Sequence, residues 1–269
     1  MRSNILLSGG MLLLAGCGGE KEPTEGAGGE AADAAVAAAP AVEKPDIDCD
    51  DFKPRTAPDG QPADDILGLR PGMSEEEVRG VLLCKNANYA INTNKNSVSL
   101  PDGGQMSQVN LNADTGLDKV SVWLLGPDGG EKVVHVDRTT EYPAGKELPV
   151  ENVAQEVATK YGAFDDTSQG SQKSGWIVRS RDGQRMTNTN SNYGNCRYHN
   201  VQTGTVSPCL HAISYEVAPS QQNPALAQRF NVAMTSQAMT SRMVDVAKQG
   251  QAKAVERAKE NAAGGGVDL

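Results

Sequence analysis

The spacing of apolar residues divides the chain into helical and extended stretches. Over 66–84, ILGLRPGMSEEEVRGVLLC, the apolar positions Val78, Val81 and Leu82 recur at i, i+3 and i+4, the period of a helix face. Ser74 and Glu77 stand as S-x-x-E ahead of that run, a capping box, and Glu75–Glu77 suit the positive end of a helix dipole. The pattern predicts a short helix over 75–83. Polar, Asn-rich segments follow in which apolar residues alternate: Val98/Leu100, Val109/Leu111, Val120/Val122/Leu124 with Trp123 between, and Val134/Val136. Period two, broken by the turn string Gly126–Gly130, predicts an antiparallel meander packed on one face. Pro149 opens a second helix, PVENVAQEVATKYG, whose stripe is Val150, Val153, Val157 and Tyr161 and whose stop is Gly162. Further strands are predicted at 176–182, 209–217 and 229–235, then a helical tail from Gln237 to Ala262 with Met239, Met243 and Val246 on one face. Past Gly250 that tail should project and fray.

Helix, sheet, helix, sheet, helix is an α+β order, and the first two helices begin about 75 residues apart. The expected architecture is two helix-plus-antiparallel-sheet units in tandem, at 47–144 and 145–236, with 237–269 as C-terminal helix and tail.

The N-terminus has a different character. Residues 1–16, MRSNILLSGGMLLLAG, place Arg2 before a short apolar run and small residues, the order of an export signal. The run is too short for a stable membrane span. Leu14-Ala15-Gly16-Cys17 resembles the lipobox of bacterial lipoproteins. That resemblance implies removal of residues 1–16 and acylation of Cys17, with the bilayer as partner; Gly18, where an Asp would favour the inner membrane, points to the outer membrane facing the periplasm. Residues 17–46 are rich in Ala, Gly, Glu and Pro and contain no aromatic residue, too little apolar surface to offset chain entropy. As a flexible coil such a tether spans roughly 30 Å.

Charge follows this division. The net charge of the 269 residues is −9; residues 18–48 carry −6 of it and residues 49–269 only −4. Acidity argues against a nucleic-acid partner, which requires clustered cations. A local basic run does occur at Arg179, Arg181, Arg185 and Arg197. Alternation puts Arg179 and Arg181 on one strand face, a solvated face or a candidate contact surface for an acidic partner or lipid headgroups.

Setting Cys17 aside leaves Cys49, Cys84, Cys196 and Cys209. In an exported protein an even remainder reads as two disulfides, and local pairing gives Cys49–Cys84 and Cys196–Cys209. The loop-entropy model assigns them about 4 and about 3 kcal/mol. The competing reading is a metal site: Cys196, His199, Cys209 and His211 spell C-x2-H…C-x-H, ligands a tetrahedral zinc accepts, although the second spacing is short. Asn110, Asn112 and Asp114 imitate the opening of a calcium loop, but Gly116 falls one place late and Ser121 replaces the closing Glu, so a turn is expected. His135 sits in an alternating strand as a structural residue. G-x-S-x-G, H-E-x-x-H, a P-loop and a dinucleotide fingerprint are all missing from the sequence.

Gly72, Met73, Ser74 and Val78 within GLRPGMSEEEVRGVL resemble the opening of small outer-membrane lipoproteins of the SmpA/OmlA type. Two such units with disulfides resemble the β-lactamase inhibitor protein fold. The resemblance implies an envelope protein that works by binding, with no cofactor and a protein partner. A metal-binding or envelope-sensing protein, or an enzyme without a recognisable motif, is the alternative.

Thiol titration of the exported, unreduced chain in denaturant separates the cysteine readings. Disulfides leave Cys49, Cys84, Cys196 and Cys209 unreactive; a zinc site releases two thiols, Cys196 and Cys209.

Overall fold

The computed structural model describes residues 47–52, 64–100, 103–187, 193–197 and 209–264. The leader, Cys17, the tether and His199 lie outside the described residues.

Helix α1 spans Glu75–Lys85. Its capping box is closed in both directions: Ser74 Oγ accepts from the Glu77 amide at 3.3 Å, and Glu77 Oε2 accepts from the Ser74 amide at 2.8 Å. Four long strands follow, β1 (Ala90–Ser99), β2 (Gln105–Asp114), β3 (Asp118–Gly126) and β4 (Lys132–Glu141), each antiparallel to the next. A two-residue strand β5 (Leu148–Pro149) leads into helix α2, Val150–Tyr161. Val150, Val153, Val157 and Tyr161 are its buried residues, the stripe read from the sequence. Then come β6 (Asp165–Asp166), β7 (Lys173–Ser180), β8 (Arg185–Met186), the short helix α3 (Tyr193–Arg197), β9 (Cys209–Pro219), β10 (Leu226–Thr235) and helix α4 (Gln237–Gly264). The short elements β5, β6, β8 and α3 carry no periodicity of their own and were not predicted.

All ten strands belong to one sheet, ordered β1-β2-β3-β4-β10-β9-β7-β6, with β5 beside β10 and β8 beside β7. The sheet is open, and β4 and β10 pair near its centre from Arg229↔Glu141 to Thr235↔His135.

One face of the sheet carries α1 and α2. Val78, Val81 and Leu82 of α1 and Val157 and Tyr161 of α2 share a core with Val109, Leu111, Val120, Val122, Ile177, Ile213 and Val232. The other face is not left to solvent as the one-faced pattern predicted. Met243, Val244 and Ala247 of α4 cover Leu100, Met106, Leu125 and Val134 there. Ser236 caps that helix, its Oγ accepting from the Met239 amide at 3.2 Å. From Ala252 to Ala262 the side chains of α4 are exposed.

A bulge corrects one pairing of the sequence reading. The β3–β4 register slips between Trp123↔His135 and Leu124↔Val133. Val134 therefore packs under α4 while Val136 faces the α1/α2 core. The Gly-Met-Ser segment docks beside this bulge: Gly72 donates to Val133 O, and the Val133 amide donates to Met73 O, both at 2.9 Å. Gly72 adopts φ +93°, and a Cβ there would stand 2.9 Å from Met239 Cε, which accounts for glycine at that place.

The disulfides are Cys49–Cys84 and Cys196–Cys209, each with Cα atoms 5.6 Å apart. The first binds the start of the described chain to the end of α1, and Phe52 lies against Gly80 there. A Cβ on Gly80 would fall 2.3–2.5 Å from the Phe52 ring.

Gly80→Ala gains roughly 1 kcal/mol of helix propensity, yet must displace Phe52, whose packing is worth more. The expected result is a melting temperature a few degrees lower. In Phe52→Ala/Gly80→Ala the second substitution becomes neutral or stabilising, which thermal unfolding measures.

Candidate functional site

The four arginines of the basic run do not form one surface. Arg179 points into the α1/α2 side of the sheet, where its Nε donates to Asp64 Oδ2 at 2.7 Å. His211 Nε2 lies 2.7 Å from the same oxygen. The side chains of Asp64 and His211 are 8% and 7% exposed, so Arg179 is held inside and is not a contact residue. Arg181 is exposed just beyond the end of β7. Arg185 pairs with Asp165, its NH2 2.6 Å from Oδ1. Position 197 falls in α3, and its side chain lies outside the described residues. Arg179 and Arg181 thus do not share a face, because the strand ends at Ser180.

The zinc constellation is parted too. Cys196 and Cys209 are joined to each other and buried with Val178, Met186 and Ala212, which leaves no thiolate to coordinate a cation. His211 turns instead to Asp64. Among the described residues no group of three or more His, Cys, Asp or Glu is placed to hold a metal. Asn110 and Asn112 lie within β2 rather than a loop, and Asp114 Oδ1 accepts from the Gly116 amide at 2.5 Å, an Asx turn.

Asp64 is the residue that sequence reasoning missed. It belongs to the segment ahead of α1, while Arg179 and His211 belong to β7 and β9. The neighbouring Asp65 binds α2: its carbonyl accepts from Tyr161 Oη at 2.7 Å and its Oδ1 from Lys160 Nζ at 3.2 Å. The two aspartates therefore latch the first half of the chain to the second. Burial alone would raise the Asp64 carboxyl; the hydrogen bonds from His211 and Arg179 outweigh it and hold the group below the usual carboxylate range. The only available signal was an Asp-Asp pair before an apolar run, which does not reveal its partners.

His135 occupies the α4 side of the sheet. It packs on Trp123 with ring centroids 4.9 Å apart, and its Nδ1 lies 2.7 Å from Thr235 Oγ1. Burial pushes its pKa down to about 4, so the ring is neutral at neutral pH.

Beyond the reach of α4 the same face is polar and open. Lys119, Thr139, Glu141, Glu216, Arg229 and Asn231 line a shallow depression of about 300 Å³. Toward the β1 edge the face is built of amides: Asn92 is opposite Asn112, Asn94 opposite Asn110, and Asn96 opposite Gln108. A second cleft, of about 620 Å³, lies along α1 between Ile47, Phe52, Glu75, Arg79 and Leu83. No described helix is long and apolar enough to cross a membrane. Comparisons with protein-family models, with curated proteins and with solved structures return no match.

Two acid-sensitive steps follow. A depressed histidine stabilises the fold above its unfolded value near 6.5 and loses that contribution as pH falls toward about 4. A depressed carboxyl stabilises above about 3.9 and loses that contribution as pH falls through its folded value. Chemical denaturation against pH should therefore show His135→Gln flattening the stability decline between about pH 6.5 and 4. Asp64→Asn should cost roughly 1–3 kcal/mol at neutral pH, because it leaves the half-buried Arg179 and buried His211 without their shared anion, and should flatten the decline below about pH 4.

Proposed function

We propose that this chain is a lipid-anchored protein of the bacterial envelope that acts by binding rather than by chemistry of its own. The observation that carries the reading is the unbroken order at the N-terminus. Arg2, an apolar run, Leu14-Ala15-Gly16-Cys17 and a tether without aromatic residues lead to Ile47. Diacylation supplies about 0.8 kcal/mol per buried methylene, and two or more chains give a stable anchor where the short apolar run alone does not. The tether then joins a start that is already rigid, since Cys49 is bonded to Cys84. The domain is held through its first residues. In this reading the outer membrane holds the anchor, the domain occupies the periplasm, and the occupant of the open face is another envelope component.

The tandem architecture belongs to the same proposal. The order β1-β2-β3-β4 on one side of the sheet centre is matched by β6-β7-β9-β10 on the other, with the two final strands adjacent. Each half is preceded by one helix, and α1 and α2 lie on the same face. Such an order is the one that two duplicated units meeting at their last strands would give. This arrangement supports a duplicated helix-plus-meander unit of the SmpA/OmlA kind.

Expression with labelled palmitate tests the anchor. The wild-type chain should take up label and sediment with membranes; Cys17→Ser should lose both and appear in the soluble periplasmic fraction. Equal labelling of the two proteins would refute the reading.

A further inference from the structure

The β1–β2 hairpin breaks the usual composition of a solvent-facing strand pair. Three successive cross-strand positions on one face are filled by amides: Asn92↔Asn112, Asn94↔Asn110 and Asn96↔Gln108. The opposite face of the same hairpin is ordinary, with Val109 and Leu111 in the core. Asparagine is depleted in strands, where Thr, Val and Ile are preferred, so such a concentration carries a cost in local preference. The core does not repay it: Asn92, Asn94, Asn96 and Asn112 are exposed, and Gln108 and Asn110 are half-buried. A local rule broken without a packing gain marks a functional surface.

The chemistry of the surface narrows the ligand. All six side chains are uncharged in a chain of which 22% of residues are charged. Lys95, the one charged residue of β1, reaches Asp128 and Glu131. Each amide offers two donors and an acceptor. Adjacent strands stand about 4.8 Å apart, and same-face residues repeat about every 6.8 Å along them. Gln108 Nε2 donates to Asn110 Oδ1 at 2.8 Å, which aligns neighbouring amides along β2. The next strand continues the rows with Ser121 opposite Asn112 and Trp123 opposite Asn110. A neutral array of side chains that each carry donors and an acceptor complements a chain of hydroxyl groups. The six amides include no cation for phosphate and no apolar stripe for an amphipathic helix.

We infer that this amide array is a binding face for an uncharged, hydroxyl-bearing glycan strand, that of the cell wall. The choice of the wall as its source rests on the envelope reading above; the ligand chemistry rests on the array alone. The position fits as well, since the array begins on β2 just past Met106, where the cover of α4 ends.

The full chain purified with Cys17→Ser, and therefore independent of acylation, is sedimented with isolated wall sacculi at low salt and at 0.5 M salt. Binding is expected at both, because uncharged hydrogen bonding is not screened. The variant Asn94→Thr/Asn110→Thr should bind at least tenfold less while melting at the same or a higher temperature, since threonine is the better strand former. Absence of sedimentation, loss of binding in high salt, or equal binding by the variant overturns the proposal. So does sedimentation velocity showing a dimer that the variant abolishes, which would make a second copy of this chain the occupant of the hairpin. A lower melting temperature in the variant would assign the amides to structure and overturn it likewise.

Discussion

The fold depends on the pairing of β4 with β10. The strands to either side of that pairing would each make only a small sheet, a size at which one core is marginal. The antiparallel register from Arg229↔Glu141 to Thr235↔His135 merges the halves into one sheet. Val136 and Met234 then stand side by side in a core that both α1 and α2 cover. Backbone hydrogen bonds provide the connection, and apolar burial on either side of the seam makes it worth forming.

Around that seam the polar contacts do local work. Asp64 and Asp65 reach from the first half to Arg179, His211, Lys160 and Tyr161 of the second, so the segment before α1 closes over the joint core. On β3 and β4, Asp118 performs a similar task within one half: it accepts Arg138 Nε at 2.8 Å and Tyr89 Oη at 2.5 Å. These networks lie on or beneath the helix-covered side. On the other side α4 covers one region and α3 packs Tyr193 and Cys196 on Val178 and Ala212; among the described residues the part between β1 and the Glu216–Asn231 depression is polar.

Particular residues mark how far the sequence could be read. The α2 stripe of Val150, Val153, Val157 and Tyr161 was legible because four residues on one helical period have a single buried solution. The Ser74–Glu77 cap was legible because both partners are four residues apart or fewer. Local pairing of the cysteines was the favoured one of three possible connectivities, because each pair lies within one stretch of chain, 35 and 13 residues apart. Arg179 was not, because period two assigns a face but does not reveal what waits there; its partner is 115 residues away. Val134 was misplaced because a bulge adds one residue to a strand and inverts the alternation beyond it.

The sequence by itself determined the class of the fold, the positions of α1, α2, α4 and the long strands, and the polar, Asn-rich character of the β1–β2 hairpin; it favoured the disulfide partners over two other pairings without fixing them. Each is a property of neighbours along the chain, expressed through period, capping or loop length. Only the tertiary structure decided that the strands form one sheet rather than two, that α4 lies across its second face, and that Arg179 and His211 are consumed by Asp64. Those outcomes come from contacts between residues about a hundred or more positions apart, where the chain carries no periodic signal. Their energy comes from which buried surfaces and charges end up facing one another.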